Sequence, residues 1–461
     1  MSDAGPLLAR VEAEGFETIR VVFPDPHGIL RGKTVTAAAL PSVLNNGLAV
    51  PSTLLLKDTS HRTAFPVWSD DPGLDGPLAG AADILLRPDP ESFTPVPMAP
   101  HSAWLFARPC FRDGRPIPFD CQTLLERAEA ALAEAGKRAV FGLEVEFHIL
   151  AVDDPALAHG QTTMPPAPPA TRALTQGYQF LTDAIYARAE PVLDDIRRAG
   201  EAMGLGIRSV EVEMGPSQFE MTFDPGPPMQ QARAMVLFRT MVKQLCAAQG
   251  LHASFMPKPR LENIAACGWH VHQSLLDEQG RNLFMPEAAG ALTPAAAGWL
   301  AGLLDHAEAS SLFTSPTVNG YKRYQPYQLA PNRIAWGEDN RGAMLRALMV
   351  PGDAASRIEN RAPDSAANPF LAFAAQILSG LDGLARGATP PPPTVQPYDD
   401  SARPLPASLG AALDAFAASE MYRAALGAEV VDYFARLKRF EWDRYLAAVS
   451  EWEQAEYFSL F

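Results

Sequence analysis

Two glutamates lie one residue apart inside the strongly apolar segment FGLEVEFHIL, residues 141–150. Successive side chains of a β-strand point to opposite faces, so a strand here places Glu144 and Glu146 together on one face. The apolar side chains of the segment, such as Phe147, then lie on the other face and can pack into a core. A pair of carboxylates on such a strand faces either solvent or something positively charged.

Three further segments place polar side chains on one face in the same way: SVEVEMGPSQFEMTF, GWHVHQSLLD and SRIENRAPD. A solvated outer face explains any one of these strands taken alone, but four such faces in one chain favour a shared site. The side chains that alternation places on the three faces are Glu211 and Glu213, with Gln218 and Glu220 after a Gly-Pro interruption, then His270, His272 and Ser274, and finally Arg357, Glu359 and Arg361.

Five carboxylates and one imidazole from these faces form a candidate metal site. Oxygen-rich sets of this kind suit the hard divalent cations Mg²⁺ and Mn²⁺, and clustered carboxylates without a cation repel one another. Guanidinium groups bind phosphate and carboxylate through two hydrogen bonds. The pattern therefore predicts a phosphate-handling enzyme with two or more divalent ions. The candidate ligands are Glu144, Glu146, Glu213, Glu220, His270 and Glu359, and the candidate clamps are Arg323, Arg341, Arg346, Arg357 and Arg361.

Composition limits the class of protein that carries these faces. The chain has 461 residues and a formal net charge of −15, which argues against a general binder of nucleic acid or anionic membranes. Four cysteines without metal-type spacing, no signal peptide and no long apolar run predict a soluble cytoplasmic protein with no membrane partner. Mixed strands and helices predict an α+β fold with a boundary near residue 108.

Six motifs resemble the glutamine synthetase family between about Phe141 and Leu384. In chain order they are FGLEVEF, EVEMGPSQFE, HVHQSL, NGYKR, APNRIAWGEDNRGAMLR and RIENRAPDSAANPFLAFAAQILSGLDGL. The resemblance implies a small N-terminal β-grasp domain, residues 1–108, and a catalytic domain, residues 109–461, with a curved antiparallel sheet flanked by helices. It also implies a homo-oligomer of stacked rings, a dodecamer, with sites at subunit interfaces.

The resemblance further implies a role for each matched residue in a reaction between ATP, glutamate and an amine. ATP phosphorylates the γ-carboxylate of glutamate, and the amine then displaces phosphate. The matched metal ligands are Glu146, Glu213 and Glu220 for one ion and Glu144, His270 and Glu359 for the other. The matched ATP contacts are His272, Ser274 and Arg357, the glutamate contacts are Arg323 and Arg361, and the catalytic arginines are Arg341, Arg346 and Arg361.

Two departures from the family concern ammonia. Glutamine-forming members carry a glutamate before Ala-Pro at the end of the flap, where YKRYQPYQLAP has Leu329. They also carry an acid in an N-terminal loop, where GLAVPSTLLL has Pro51. Without these anions the site lacks the negative charge that attracts ammonium. The sequence therefore predicts a ligase that joins glutamate to an amine other than ammonia, such as a polyamine, an alkylamine or an aniline.

The acceptor pocket is predicted from residues beside these positions. Leu329, Tyr327 and Trp269, with Tyr324, could wall a pocket for an apolar amine, although simple packing of the aromatics explains them equally well. Anilines are neutral at pH 7 and need no acid to bind, while Glu211 could serve as a replacement base or bind a distal ammonium. Ala265 and Ala266 replace the family's Asn-Gly and leave the acid substrate open.

Other interpretations remain open at the level of sequence. The chain could be an ordinary glutamine synthetase, which Leu329 disfavours. It could be a non-catalytic ring-forming relative, which retention of all six ligands disfavours because clustered carboxylates are costly to keep. Tyr398 lies near the tyrosine that some family members modify by adenylylation, and without the surrounding pattern we interpret it as a surface residue.

Overall fold

A computed structural model of the chain describes residues 4–69, 73–74, 76–399 and 401–461. It contains two sheets and a set of helices, so the predicted α+β class is confirmed. The strands are β1 (Thr18–Pro24), β2 (Leu30–Thr36), β3 (Leu48–Pro51), β4 (Asp83–Pro88), β5 (Thr94–Pro95), β6 (Ser102–Cys110), β7 (Arg138–Asp154), β8 (Ala170–Ala173), β9 (Ile207–Val212), β10 (Gln218–Phe223), β11 (Leu251–Ser254), β12 (Trp269–Leu276), β13 (Trp336–Glu338), β14 (Leu345–Leu348) and β15 (Arg357–Asn360).

The α-helices flank the two sheets and fill the C-terminal part of the chain. None of those in the described residues combines the length and the apolar composition that crossing a membrane requires. The helices are α1 (Gly5–Ala13), α2 (Leu40–Asn46), α3 (Cys121–Glu134), α4 (Asp183–Ala202), α5 (Pro228–Ala248), α6 (Pro294–Asp305), α7 (Ala307–Thr314), α8 (Pro369–Ala385), α9 (Leu409–Ala417), α10 (Glu420–Leu426), α11 (Ala428–Leu446) and α12 (Glu451–Tyr457).

The first sheet contains six strands in the order β2-β1-β6-β4-β3, with β5 paired to β6. Its central pair, β1 and β6, is parallel, and its other pairs are antiparallel. The sheet ends at Cys110, close to the boundary that the sequence predicts at residue 108. The division into domains at 1–108 and 109–461 itself stays a prediction.

The second sheet positions the candidate site. It contains nine strands, seven of them in the order β13-β14-β15-β12-β7-β10-β9, while β8 and β11 pair with β7. All its pairs are antiparallel except β13 with β14. The long strand β7 lies between β12 and β10, so the polar faces of these three strands adjoin, and β15 adds the fourth predicted face through its pairing with β12.

One face of this sheet packs against α8. The helix begins at Pro369 after Asn368, whose side chain accepts a hydrogen bond from the Phe370 N–H at 3.1 Å. On the next turn, Phe373 packs against Phe141 of β7, with ring centroids 4.3 Å apart. Burying each such ring contributes about 1.5–3 kcal/mol. These contacts fix the apolar face of β7 inward and turn its glutamates to the opposite face.

Candidate active site

Cross-strand register brings the predicted polar side chains together on the face opposite α8. Directly opposed residues of antiparallel strands have Cβ atoms about 4.5–5.5 Å apart, which is close enough for their side chains to share a ligand. The opposed pairs are Glu144 and His270, Glu146 and Glu220, Glu220 and Glu211, Glu359 and His272, and Glu359 and Arg346. We call Glu144, Glu146, Glu213, Glu220, His270 and Glu359 the acidic cluster.

Glu146 is held by two donors from outside its own strand. The Gly268 backbone N–H donates to its Oε2 at 2.8 Å, and the Gln218 amide Nε2 donates to the same oxygen at 3.1 Å. Gln218 also donates to the Ala266 carbonyl at 2.9 Å and accepts from the Gly215 N–H at 2.9 Å. The sequence identified Gln218 on the polar face but gave it no role, and the structure shows that it orients Glu146.

A chain of polar contacts runs from Arg357 to Glu144 through His272. The Arg357 Nε–H donates to Nδ1 of His272 at 3.1 Å, and Nε2 of the same ring lies 2.9 Å from Glu144 Oε2. Because an arginine only donates, Nδ1 must accept and Nε2 carries the proton that it gives to Glu144. His270 contacts the other oxygen of Glu144 through its Nδ1.

Glu359 is fully buried, with a side chain 0% exposed between two arginines. Arg346 donates to its Oε2 at 3.0 Å, and Arg361 donates to its Oε1. Burial by itself would raise the pKa of Glu359, but the charges of His270 and Arg361 lower it below its usual value. Glu144 behaves alike: burial would raise its pKa, and the charge and hydrogen bond of His270 bring it well below the ordinary range.

The other end of the cluster has excess negative charge. Burial first, and then the nearby charge of Glu146, raises the pKa of Glu213 to about 7. Burial and the charges of Glu144 and Glu146 raise the pKa of Glu220 to about 11. Carboxyl groups that hold protons at neutral pH for these reasons become ionised when a cation enters among them.

Three groups of side chains within the described residues bring their ligand atoms within 4.8 Å of one another, as a shared metal ion requires. One group is Glu146, Glu213 and Glu220, the set that the sequence assigned to one ion. The other two divide the second predicted set, Glu144, His270 and Glu359. They are Glu144, Glu220 and His270, and Glu144, His272 and Glu359. All donors are carboxylate oxygens or imidazole nitrogens, so the residues present fit Mg²⁺ or Mn²⁺.

Arg323 lies against this cluster at Gly268. Its side chain is buried and donates to the Ala362 carbonyl at 3.0 Å. A Cβ at position 268 would lie 2.9 Å from Arg323 Nη2, 3.1 Å from His270 Nε2 and 3.4 Å from Glu146 Oε1. Glycine at 268 therefore lets a guanidinium, an imidazole and a carboxylate approach one point.

Two predicted residues sit farther from this set of contacts. Arg341 is exposed in the turn after β13, where it lines a surface cavity of about 540 Å³ with Asp339 and Val395. Ser274 lies on the polar face of β12, opposite Val140 of β7 and one alternation beyond His272. Both stay predictions as phosphate and ATP contacts.

The prediction that Trp269 walls an amine pocket is wrong. Its ring is 0% exposed and packs against Phe373 of α8, with centroids 5.4 Å apart. The alternation that puts His270 on the polar face puts Trp269 on the apolar face, so the strand pattern itself predicts that Trp269 is buried. Tyr324 is also buried, and its hydroxyl donates to the Ala362 carbonyl at 3.1 Å.

The flap, which we define as residues 324–330, follows Arg323 and carries exposed side chains. Tyr327 is 83% exposed and Leu329 is 51% exposed, and both have left-handed backbones, with φ of 63° and 54°. The Tyr327 ring lies 4.9 Å from the ring of Tyr398. The interpretation of Tyr398 as a surface residue is wrong, because the residue is half-buried and its hydroxyl is buried.

A second apolar surface that the sequence did not indicate lies beside Glu213. Tyr178 is 62% exposed, and its backbone N–H donates to the carbonyl of the exposed Met214 at 2.6 Å. The Tyr178 hydroxyl donates to the Asn263 carbonyl at 3.0 Å. The segment is anchored by the buried Ser217, whose hydroxyl accepts from the Leu174 N–H at 2.6 Å. No periodic pattern marks this loop, so only its long-range contacts reveal it.

Comparison with known proteins identifies the family. The family model described as glutamine synthetase, catalytic domain, matches residues 119–457. The chain belongs to the glutamine synthetase family. The predicted family is thereby confirmed.

Relatives of known name include both amide-forming and glutamine-forming enzymes. A γ-glutamylanilide synthase from an Acinetobacter species is 34% identical, with 99% of this chain and 96% of that protein covered. A γ-glutamylethanolamide synthetase, GlnA4, from Streptomyces coelicolor is 32% identical, with 97% and 94% covered. A glutamine synthetase from Methanosarcina mazei is also 32% identical, with 98% and 97% covered. Sequence identity alone separates the amide-forming from the glutamine-forming relatives poorly, so the choice between these two activities depends on the site residues.

A solved structure confirms the fold at the level of the whole chain. The structure described as "GmaS/ADP complex-Conformation 1" is 30% identical, covers 100% of both chains and superposes with a TM-score of 0.83. The predicted glutamine synthetase fold is therefore confirmed. The individual roles that the resemblance gives to site residues remain predictions.

Proposed function

We propose that this protein is an ATP-dependent ligase that joins the γ-carboxylate of glutamate to an amine other than ammonia. One observation carries the proposal. The acidic cluster and its arginines are assembled, while the flap beside them contains no acidic residue and presents Leu329. The named relatives that form γ-glutamyl anilide and γ-glutamyl ethanolamide support the same choice.

The acidic cluster would hold two divalent ions, Mg²⁺ or Mn²⁺. Glu146, Glu213 and Glu220 would hold one, and Glu144, His270 and Glu359 the other. When bound, such ions neutralise the charge of ATP phosphates and of the transferred group. Gln218 contributes by fixing the orientation of Glu146, and Arg357 contributes by fixing the proton position of His272.

The arginines would act on the phosphoryl group and on glutamate. Arg346 and Arg361 flank Glu359, and Arg346 is also paired with Asp339, so the two guanidinium groups are held beside the acidic cluster, where we propose that they bind the phosphoryl group. Arg323 is buried beside His270, which suits a donor to a substrate carboxylate, and with Arg361 it would bind glutamate. His272, Ser274 and Arg357 would bind ATP. Arg341, in the turn after β13, would bind the transferred phosphate.

In the first step a γ-carboxylate oxygen of glutamate attacks the γ-phosphorus of ATP, and the bond to the β,γ-bridging oxygen breaks. This gives γ-glutamyl phosphate and ADP. In the second step the amine nitrogen attacks the acyl carbon, the bond to the phosphate oxygen breaks and phosphate leaves. Glu211, which accepts a hydrogen bond from Ser209 Oγ at 2.7 Å, is the proposed acceptor for the proton that the amine loses.

The exposed side chains around the site favour an amine with an apolar body. We place the exposed Tyr327 and Leu329 of the flap on one side of it, and the exposed Tyr178 and Met214, next to Glu213, on the other. Apolar walls with a few polar groups are typical of sites for small molecules of this kind. An aryl amine is the first candidate because it is neutral at pH 7 and needs no flap acid to bind or to lose a proton.

The remaining parts of the proposal concern the setting of the enzyme. We place it in the cytoplasm, as a homo-oligomer of stacked rings, a dodecamer, with sites at subunit interfaces. We propose ATP, glutamate and an amine as its small-molecule partners. We propose glutamate as the acid substrate because Arg323 and Arg361 are present, although the Ala265–Ala266 loop differs from the family pattern.

The test is phosphate release from ATP in the presence of Mg²⁺ and glutamate, with ammonia, ethanolamine, a polyamine and aniline as separate acceptors. Product masses identify the amide. Release with one or more organic amines and little with ammonia supports the proposal. Release with ammonia alone would make the protein an ordinary glutamine synthetase, and no release with any acceptor, despite tight Mg²⁺–ATP binding, would point to a different acid substrate.

A further inference from the structure

We propose that Tyr398 is a positioning residue for the acceptor amine, because it holds the flap side chains Tyr327 and Leu329 in the conformation that selects an organic amine over ammonia. This inference rests on the proposed function and adds to it a determinant outside the flap and outside the acidic cluster. Tyr398 belongs to a proline-rich segment, described at residues 389–399 and 401–405, that is hydrogen-bonded beside the edge strand β13.

The proline-rich segment is attached to β13, the edge strand of the second sheet that precedes the turn with Arg341. The Thr394 N–H donates to the Trp336 carbonyl at 2.8 Å, and the Trp336 indole N–H donates to the Pro391 carbonyl at 2.6 Å. Farther along, the Ile334 N–H donates to the Arg403 carbonyl at 2.8 Å. Bonds on both sides of Tyr398 therefore fix its backbone relative to β13.

Tyr398 contacts the flap at two points. Its ring lies 4.9 Å from the ring of Tyr327, tilted by 49°, a distance at which aromatic pairs attract. Its hydroxyl lies near the Leu329 backbone and is buried with no hydrogen-bond partner among the described residues, and this burial raises the pKa of Tyr398. The two contacted flap residues are the two with left-handed backbones.

Left-handed backbones at residues other than glycine, asparagine or aspartate are costly and persist only where surrounding contacts hold them. Tyr327 is 83% exposed, so little of its own side chain packs against the protein beyond the Tyr398 ring. We assign to the Tyr398 ring a part in supporting the flap conformation that carries Leu329.

The other side of Tyr398 faces the turn that carries Arg341. A Cβ at Gly342 would lie 3.3 Å from the Tyr398 hydroxyl and 2.6 Å from Pro397 Cγ. Glycine at 342 therefore allows the tyrosine to lie between the flap and this turn. Tyr398 links the part of the site that would accept the amine to the part that would hold the phosphoryl group, so loss of its ring should act on amine selection.

The experiment measures KM and kcat for aniline, glutamate and ATP, and the product ratio with aniline and ammonia together, in wild type, Tyr398→Ala and Tyr398→Phe. We expect Tyr398→Ala to raise the KM for aniline up to about tenfold, as loss of an aromatic pair implies, and to shift the product ratio toward glutamine. The KM values for glutamate and ATP should stay unchanged. Tyr398→Phe keeps the ring and should restore most of the aniline KM.

The control variant is Tyr445→Ala, which removes an exposed tyrosine that stacks on Trp442 with centroids 5.4 Å apart, outside the site. It should leave all kinetic constants and the product ratio unchanged.

If wild type makes no organic amide, the proposed function fails and the inference falls with it. If wild type makes the amide and Tyr398→Ala leaves aniline KM and product ratio unchanged, or if it raises all three KM values alike, the inference alone is overturned. If Tyr398→Ala does not fold, the same comparison is made with Tyr398→Leu, which removes the ring but keeps an apolar side chain.

Discussion

The acidic cluster and the flap differ in how firmly the surrounding structure fixes their side chains. The cluster sits on paired strands whose register is fixed by the buried aromatic face beneath, so each carboxylate has a set position. The flap is a short segment in which Tyr327 and Leu329 are exposed and strained. The cluster is therefore suited to chemistry that all family members share, and the flap is suited to differences in substrate.

Charge distinguishes the two regions as well. At neutral pH Glu220 holds its proton and Glu213 holds it in part, because burial and neighbouring carboxylates oppose ionisation, and a bound cation would relieve this cost. The flap has no acid, and its surface is aromatic and aliphatic. A change in the cluster should thus abolish the reaction, while a change in the flap should redirect it.

The largest effect is expected for Glu220→Gln. Glutamine resembles the protonated acid that the metal-free protein already contains, so the melting temperature without metal should stay near that of wild type. The Mg²⁺-dependent rise in melting temperature should be lost, and phosphate release should fall at least about a hundredfold, as loss of metal stabilisation implies. An unchanged Mg²⁺ response would show that Glu220 is no ligand.

Gly268→Ala should lower activity next most strongly. The added methyl group would meet Arg323, His270 and Glu146 at close range and push at least one of them from its place. Overpacking of this kind costs about 1–3 kcal/mol, so we expect a loss of roughly tenfold to a hundredfold in kcat/KM. Gly160→Ala is the matched control, because a Cβ there meets nothing within 4 Å. Equal activity of the two variants would contradict the packing described.

The pH dependence of metal binding tests the acidic cluster without mutation. The raised pKa values of Glu213 and Glu220 mean that the folded, metal-free protein binds protons more tightly than the unfolded chain. The stability that these two groups contribute is therefore lost as pH rises above about 4.3, the unfolded value, and through their folded-state values. Mg²⁺ must displace these protons, so its effect on the melting temperature should be larger at pH 8 than at pH 6. Equal effects at both pH values would argue against ligation by this pair.

A smaller effect is expected for Leu329→Glu, which tests the flap alone. The change supplies an acid at the position where glutamine-forming relatives carry one, so ammonia-dependent phosphate release should rise and the KM for aniline should increase, each by about tenfold. The Mg²⁺-dependent rise in melting temperature should not change. A Leu329→Met variant controls for loss of the leucine shape.

The two regions also differ in how much of them the sequence predicts. Alternation along Glu144–Glu146, His270–His272 and Arg357–Arg361 predicted the polar faces, because a strand with one buried face permits only one orientation. The role of Gln218 and the burial of Tyr398 were not predicted, since both depend on contacts with distant segments that no local period encodes. Trp269 was misplaced although the same alternation gave its orientation.

The most direct measurement of the central claim is a competition assay. The protein is given ATP, Mg²⁺, glutamate and equal concentrations of aniline and ammonia, and the two amide products are quantified by mass. We predict that γ-glutamyl anilide forms in clear excess over glutamine, because the flap offers an apolar surface and no acid. Glutamine in excess would contradict the account, since it would mean that the flap without an acid still selects ammonia.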